Sequence, residues 1–214
     1  MPVEIKIQQP SAPSSEFASA NAEVVRSITQ RSLLNNWLRL YSEKKTPPRF
    51  EDYRPGLPPE EASDIICYTV TYPAEPPHIR IDHLGKRMSV AYGTAATGRD
   101  LAEYVGPKLA PLIMPNYYAC IARRLPIYTI STAEDVHGRS VDFERLLMPF
   151  QDGGIINRIK AWVETISEDG EFEIRNLMQS EGTLRTYKVR AVIDRDLFYR
   201  PPGRIPTRDI IEFD

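Results

Sequence analysis

Two glycines in the middle of the chain have the spacing of a phosphate-binding loop. They are Gly93 and Gly98, with four residues between them. In that motif a lysine and then a serine or threonine follow the second glycine, whereas Arg99 and Asp100 follow it here. The loop is therefore not expected to bind a nucleotide.

A second group has the residue types of a metal site. It consists of His78, Asp82 and His83. Because alternate side chains of a strand point to opposite faces, His78 and Asp82 share one face while His83 points to the other. The spacing predicts an exposed strand end, and the sequence assigns no metal site.

A third group has the residue types of a nucleophile and its base. Asp135 and His137 can share a face, but together with Ser140 they surround a turn at Gly138. No oriented third group or oxyanion hole accompanies them, so the sequence assigns no catalytic residue. Cys120 either lines a pocket or, as free cysteines commonly are, is a small buried hydrophobic side chain.

Composition predicts a globular protein with a sizeable core. The chain has 214 residues, of which 42% are hydrophobic, enough for one domain with extensions or for two small domains; we favour the first. Its 27 basic and 29 acidic residues give a net charge of -2. That charge does not attract polyanions, so a nucleic-acid partner is not expected.

The expected compartment is the cytoplasm, and no membrane partner is expected. The 2 cysteines can form at most one intramolecular disulfide, and the first residues lack the basic start and apolar core of a signal peptide. The longest apolar run, at residues 109–114, is broken by Pro111. It is far shorter than the ~20 residues that span a bilayer.

The first part of the chain predicts an unstructured leader and then an amphipathic helix. Residues 1–22 are rich in proline, serine and glutamine, a composition that buries too little apolar area to offset chain entropy. Residues 23–48 carry an apolar stripe at helical spacing, ended by two prolines. The stripe is Val24, Val25, Ile28, Leu34, Trp37, Leu38 and Tyr41. It either covers the core of its own domain or forms a surface for a second copy or another partner.

The remaining pattern predicts two strands, a helical middle and three more strands. The strands are predicted at residues 65–72, 79–83, 126–132, 141–148 and 159–163. The helical middle comprises a short helix at residues 100–105 and a longer one at 107–125. Gly153 and Gly154 supply a chain reversal before the last strand, and the short turns predict antiparallel pairing.

Four short motifs, in this order along the chain, resemble those of a stand-alone bacterial branch of the PAS domain family. They are WLRLY at residues 37–41, PRFEDY at 48–53, TGRDL at 97–101 and LLMPFQDG at 146–153. The likeness covers residues 33–169. PAS domains have two strands before a helical middle and three after it, and a ligand pocket can lie between the helices and the sheet.

The resemblance implies an α+β fold, with a five-stranded antiparallel sheet and helices on one face, over residues 49–169. The helix at residues 23–48 precedes this domain, and residues 170–214 extend it beyond the likeness. Within the extension, residues 172–177 and 186–193 have strand character, which predicts a β-hairpin followed by a tail. Acidic residues interrupt the basic and aromatic tail, so it is expected to pack or to bind protein rather than nucleic acid.

The resemblance also implies a function, that of a non-catalytic signal-transduction module. Such a module binds a small ligand or delivers its output to a protein partner in trans; the alternative is a small α+β enzyme that uses the same cavity. Five side chains are expected to line the pocket, because the longer helix and the central sheet should enclose it and aromatic walls are common in such sites. They are Tyr92, Tyr117, Cys120, Tyr128 and Trp162. The sequence identifies neither the ligand nor a cofactor.

Two further expectations follow from the resemblance. PAS domains that bind haem often use a histidine in the long helix, and residues 107–125 contain none. The flavin photosensor branch has a reactive cysteine in a Gly-Arg-Asn-Cys type motif, where residues 98–101 read GRDL. A colourless protein is therefore expected.

PAS domains also commonly pair through a flanking amphipathic helix, so a homodimer is expected, with Val24 and Ile28 at its interface.

Overall fold

The computed structural model describes residues 16–56, 61–92, 96–134, 137–167 and 186–198. Its strands are β1 (Ala18–Ala20), β2 (Ile65–Thr71), β3 (His78–Leu84), β4 (Ile127–Glu134), β5 (Ser140–Asp152), β6 (Ile155–Ser167) and β7 (Thr186–Ile193). Its α-helices are α1 (Ile28–Lys44), α2 (Lys86–Tyr92) and α3 (Leu101–Arg123). Short 3₁₀ turns lie at Ala22–Val24, Phe50–Asp52, Glu61–Asp64 and Arg195–Phe198.

The described strands form one sheet in the order β1-β7-β4-β5-β6-β2-β3. Neighbouring strands are antiparallel except for β1 and β7, which run parallel. The predicted α+β class is confirmed, but the sheet has seven strands and is mixed, instead of five-stranded and antiparallel. The five predicted strands form its β3-β2-β6-β5-β4 part. The sheet continues past β4 because β7 pairs with the backbone groups along its outer edge.

Both ends of the described chain belong to this sheet, whereas the sequence placed them outside the domain. Ala18–Ala20 fall within the predicted leader of residues 1–22, yet they pair with residues 191–193 of β7. The end of the leader is therefore structured, because β1 bonds to an otherwise open strand edge. Residues 1–15, the predicted hairpin strand at 172–177 and the tail from residue 199 lie outside the described residues.

Helices cover both faces of the sheet: the predicted helical middle packs on one face, and α1, whose face was not predicted, packs on the other. On one side, here called the α3 face, α2 and α3 pack against Ile159, Ala161 and Val163 of β6. On the other side, the α1 face, α1 packs against Trp162 of the same strand. Alternation along a strand sends these side chains to opposite faces. Because both faces are covered, β5 is buried at nearly every position.

The helix α1 begins later than the sequence predicts. Its N-cap is Ser27, whose extended backbone ends the preceding chain and whose hydroxyl accepts the Gln30 backbone N–H at 3.1 Å. Val24 therefore lies before the helix, in a 3₁₀ turn. The helix ends at Lys44 and is capped by Lys45, whose φ of 54° is left-handed, just before the two prolines at which its end was predicted.

The two predicted middle helices form one element, α3, that is broken at Gly106. This glycine has a φ of 77°, a value that glycine adopts without the steric penalty of a side chain. The preceding helix α2 was not predicted. None of the described helices combines the length and the apolarity needed to cross a bilayer.

Candidate functional site

The predicted pocket residues do not share one cavity. Tyr117 and Cys120 lie in the core of the α3 face, whereas Tyr128 and Trp162 lie in the core of the α1 face. Each of the four is at most 2% exposed. The sheet itself separates the two pairs. The side chain of Tyr92 lies outside the described part of the structure.

Tyr117 and Cys120 are part of the packing between α3 and the sheet. The hydroxyl of Tyr117 is 2.9 Å from that of Tyr68 on β2, and the two rings meet edge to face with centroids 5.2 Å apart. Complete burial raises the pKa of the Cys120 thiol far above its ordinary value. Of the two sequence interpretations of Cys120, a pocket thiol or a small buried hydrophobic side chain, the structure supports the second.

Tyr128 and Trp162 are part of the contact between the sheet and the start of α1. The hydroxyl of Tyr128 accepts the Arg26 backbone N–H at 3.3 Å. The indole N–H of Trp162 donates to Glu164 Oε1 at 3.1 Å. Burial, first of all, raises the pKa of Tyr128. These side chains are occupied by contacts within the fold.

A cleft lies elsewhere, between the loop that joins β2 to β3 and the two segments of α3. We call it the loop–helix cleft. It has a volume of about 190 Å³ and is lined by Ala74, Glu75, Pro76, Pro77, His78, Asp100, Ala102, Met114 and Tyr118. The break in α3 at Gly106 lets Ala102 and Met114, from the two segments, face the same loop.

The polar end of this cleft is built around Asp100. Its Oδ1 caps α3 by accepting the backbone N–H of Ala102 at 2.9 Å. Its Oδ2 lies 3.6 Å from Nδ1 of His78. A backbone bridge between Arg80 and Asp100 holds the two segments together. Burial, and then the charge of Asp100, raises the pKa of the Tyr118 phenol, so Tyr118 is a hydrogen-bond donor at neutral pH.

The loop–helix cleft therefore combines apolar walls with a small number of convergent polar groups, the usual composition of a small-molecule site. The sequence alone does not reveal this cleft. His78 and Asp100 are far apart in the chain, and periodicity paired His78 with Asp82 instead. The sequence feature that marks the cleft is the proline pair Pro76 and Pro77, which was interpreted only as the end of a strand.

The other sequence groups do not assemble into sites in the described ranges. Asp82 bonds to Thr69 and to Arg158, not to His78. Among the residues whose positions are described, no three His, Cys, Asp or Glu side chains lie close enough to hold a metal ion. Asp135 and residues 93–95 of the glycine loop lie outside the described ranges.

The two predicted interface residues differ in exposure. Ile28, the first residue of α1, is 85% exposed. Val24 is half-buried and packs against the core of the α1 face. Its neighbour Val25 is 0% exposed and belongs to that core. Only Ile28 of these residues presents a large apolar surface to solvent.

Comparison of the chain with protein-family models, with curated proteins and with solved structures finds no match.

Proposed function

We propose that this protein is a PAS-type module of signal transduction that binds a small ligand without transforming it. The observation that carries the proposal is the connectivity of the central strands. Two strands, β2 and β3, precede the helices α2 and α3, and β4, β5 and β6 follow them. All five belong to one antiparallel part of the sheet, and β2 pairs with both β3 and β6. That is the arrangement which the resemblance implies.

The ligand would occupy the loop–helix cleft. The cleft lies between α3 and one end of the sheet. This position agrees with the ligand pocket that the resemblance to PAS domains implies between the helices and the sheet. Its volume of about 190 Å³ suits a small metabolite rather than a large cofactor. Asp100, His78 and Tyr118 would orient the ligand, and the alanine, proline and methionine walls would exclude water from it.

A small α+β enzyme that uses this cleft is the alternative. The observation in its favour is the pair of His78 and Asp100, whose side chains are 3.6 Å apart and could move a proton. Against it, the described lining of the cleft contains no serine, threonine, cysteine or lysine, which leaves only Glu75, His78, Asp100 or Tyr118 as a nucleophile. Asp100 is also engaged as a helix cap, which a binding site tolerates better than proton transfer does.

The test is native mass spectrometry of the full chain after incubation with a low-molecular-weight cell extract. Wild-type protein should retain an added mass, and Ala102→Trp should not, because the indole fills the cleft. The matched control is Ala122→Trp, the same change on an exposed face of the same helix, which should retain the added mass. Retention by Ala102→Trp, or no retention by the wild type, contradicts the proposal.

We also propose that two copies pair through the start of α1, as flanking helices of PAS domains do. The exposed Ile28 supports this part of the proposal. Output to a separate protein partner would then depend on how α1 is held on the sheet.

A further inference from the structure

The N-terminal end of α1 lies over two glutamates that face each other across the sheet. Glu144 of β5 and Glu164 of β6 are direct cross-strand partners. Such partners have β-carbons about 5 Å apart. The hydroxyl of Ser27, the N-cap of α1, donates to Glu164 Oε1 at 2.5 Å. The first turn of the helix is thus bonded directly to this pair.

The two carboxyl groups have different surroundings. Glu164 Oε1 accepts both the Ser27 hydroxyl and the Trp162 indole N–H, as a carboxylate does. Glu144 is 0% exposed, and within the described chain neither of its carboxyl oxygens has a hydrogen bond of normal geometry. A charge on Glu144 would be buried beside a like charge. Glu144 is therefore the member of the pair that retains a proton.

The contacts of Gln30 add to the interaction between α1 and this part of the sheet. Gln30 is 0% exposed, and its Nε2 lies 3.3 Å from the Glu144 carbonyl oxygen and 3.4 Å from that of Trp162. The polar contacts of the first helical turn thus converge on one pair of strands. A charge that attracts water here would disturb all of them together.

We propose that Glu144 is a neutral carboxylic acid while α1 is docked, and that its ionisation at higher pH releases the N-terminal part of α1 from the sheet. The only chemical step is the transfer of one proton from Glu144 to water. The structure thus contains a pH-sensitive contact between the sheet and the element that we propose for self-association.

The electrostatic surroundings of Glu144 support this direction. Burial, first, and the charge of Glu164 raise its pKa. The Tyr128 hydroxyl, Arg26 and the Ser27 backbone N–H oppose them, but the pKa is raised overall. These three groups therefore only reduce the effect of burial.

Further charged groups lie on the neighbouring elements: Glu23, Arg31, Asp64, Arg87, Asp142, Lys188 and Asp196. Burial, first, and the charge of Glu164 raise the pKa of Asp64 against the opposing effect of Arg87, so Asp64 acts in the same direction as Glu144. Asp142 acts in the opposite direction, because its pKa is lowered overall; it titrates in a more acidic range.

The sign of the pH dependence follows from linkage. A raised pKa in the docked state means that docking retains a proton. The docked state is fully favoured below the ordinary glutamate value of 4.5 and loses stability as the pH rises through the raised value. At a pH above the pKa of Glu144 in both the docked and the released state, each unit of difference between the two pKa values shifts the docking equilibrium about tenfold.

The test is hydrogen–deuterium exchange of the full chain between pH 4 and pH 9, expressed as protection factors that remove the intrinsic pH dependence of exchange. Wild-type amides of residues 28–34 should lose about tenfold in protection for each unit by which the pKa is raised. Amides of β5 should keep theirs, which separates local release from global unfolding. Uniform loss in both segments, or no loss, overturns the proposal.

Two variants make the assignment specific. In Glu144→Gln a neutral amide of the same shape replaces the neutral acid, so the protein should fold at pH 4 and keep its protection up to pH 9. Glu43→Gln removes an exposed carboxylate from the same helix and should behave like the wild type. A Glu144→Gln protein that does not fold, or that keeps the wild-type pH profile, contradicts the assignment, as does a flat profile for Glu43→Gln.

Discussion

Trp37 of α1 donates its indole N–H to the backbone carbonyl of Pro149 in β5 at 2.8 Å. The side chain of Trp37 is 0% exposed, and its ring stacks on that of Tyr41 with centroids 5.2 Å apart. This bond joins the first helix to a central strand of the sheet. The helix α1 is therefore part of the core of the domain, and any displacement of it must change that core.

Replacement of Trp37 tests how much α1 contributes to stability. Trp37→Ala should lower the free energy of unfolding by roughly 3–5 kcal/mol, because a large enclosed side chain is lost. Trp37→Phe keeps most of the ring but leaves the Pro149 carbonyl without its donor, so the loss should be about 1–3 kcal/mol. Urea titration followed by circular dichroism measures both. The exposed neighbour Arg39→Ala is the control; equal losses for Arg39→Ala and Trp37→Ala would refute a core role.

The side chain of Asp142 links three strands, and its replacement tests the position of β7. Asp142 of β5 accepts from Thr132 of β4 at 2.6 Å and from Lys188 of β7 at 2.8 Å. Burial alone would raise the pKa of Asp142, but these hydrogen bonds lower it overall. Its stabilising effect is thus present above the ordinary value of 3.8 and is lost as the pH falls through the lowered value.

Asp142→Asn should accordingly lower the free energy of unfolding by about 1 kcal/mol at pH 7 and by less at pH 2. The expected loss is small because Lys188 is partly exposed. Urea titration at the two pH values gives the comparison. Lys188→Met should show the same dependence, because it removes the partner in β7. If Lys188→Met has no effect at either pH, β7 does not hold this register.

The two cysteines should differ in reactivity. Burial raises the pKa of both thiols, but Cys120 is fully buried whereas Cys67 is half-buried on the α1 face. Less thiolate and less access should make Cys120 the slower of the two toward iodoacetamide at pH 8. Peptide mass spectrometry measures the two rates, and urea provides the control in which they should converge. Faster labelling of Cys120 in the folded protein would mean that α3 opens readily.

Self-association should depend on the exposed side chain at the start of α1. Ile28→Glu should convert a dimer into a folded monomer in sedimentation velocity at high micromolar concentration. Ile155→Glu is the matched control, since Ile155 is also exposed, at 58%, but is the first residue of β6, next to the turn from β5. A monomeric wild type, or a dimer that survives Ile28→Glu, rules out this interface. Truncation before Arg31 is a poorer test, because it also removes β1, Val25 and the Ser27 cap.

Strand positions were predictable because their cause is local. Alternation in residues 159–163 and the glycine turn before them identify β6, and both features are visible in a short window of sequence. The strand β7 was predicted at residues 186–193, but its pairing with β4 and β1 was not. The pairing with β1 joins Ala18 to Ala191, which are too far apart in the chain for any local pattern to connect them.

The candidate site was less predictable than the fold for the same reason. Aromatic character singled out Tyr117 and Tyr128 as lining one pocket, but it could not say which face of the sheet each one occupies. That assignment follows from register, which is set by tertiary contacts. The cleft that contains His78 and Asp100 lies between a loop and the two segments of α3, which are separated by the break at Gly106. The sequence does not reveal in which direction the helix continues after this break.

The most direct test of the central claim asks whether the cleft binds a molecule and leaves it unchanged. The small molecule recovered from native protein would be identified, added back in about hundredfold excess, and quantified by liquid chromatography and mass spectrometry over several hours. A binding module should return the full amount at its original mass, with one equivalent bound to wild type and to Ala122→Trp and none to Ala102→Trp. Conversion of more than one equivalent by wild type, abolished in Ala102→Trp, would show that the protein is an enzyme.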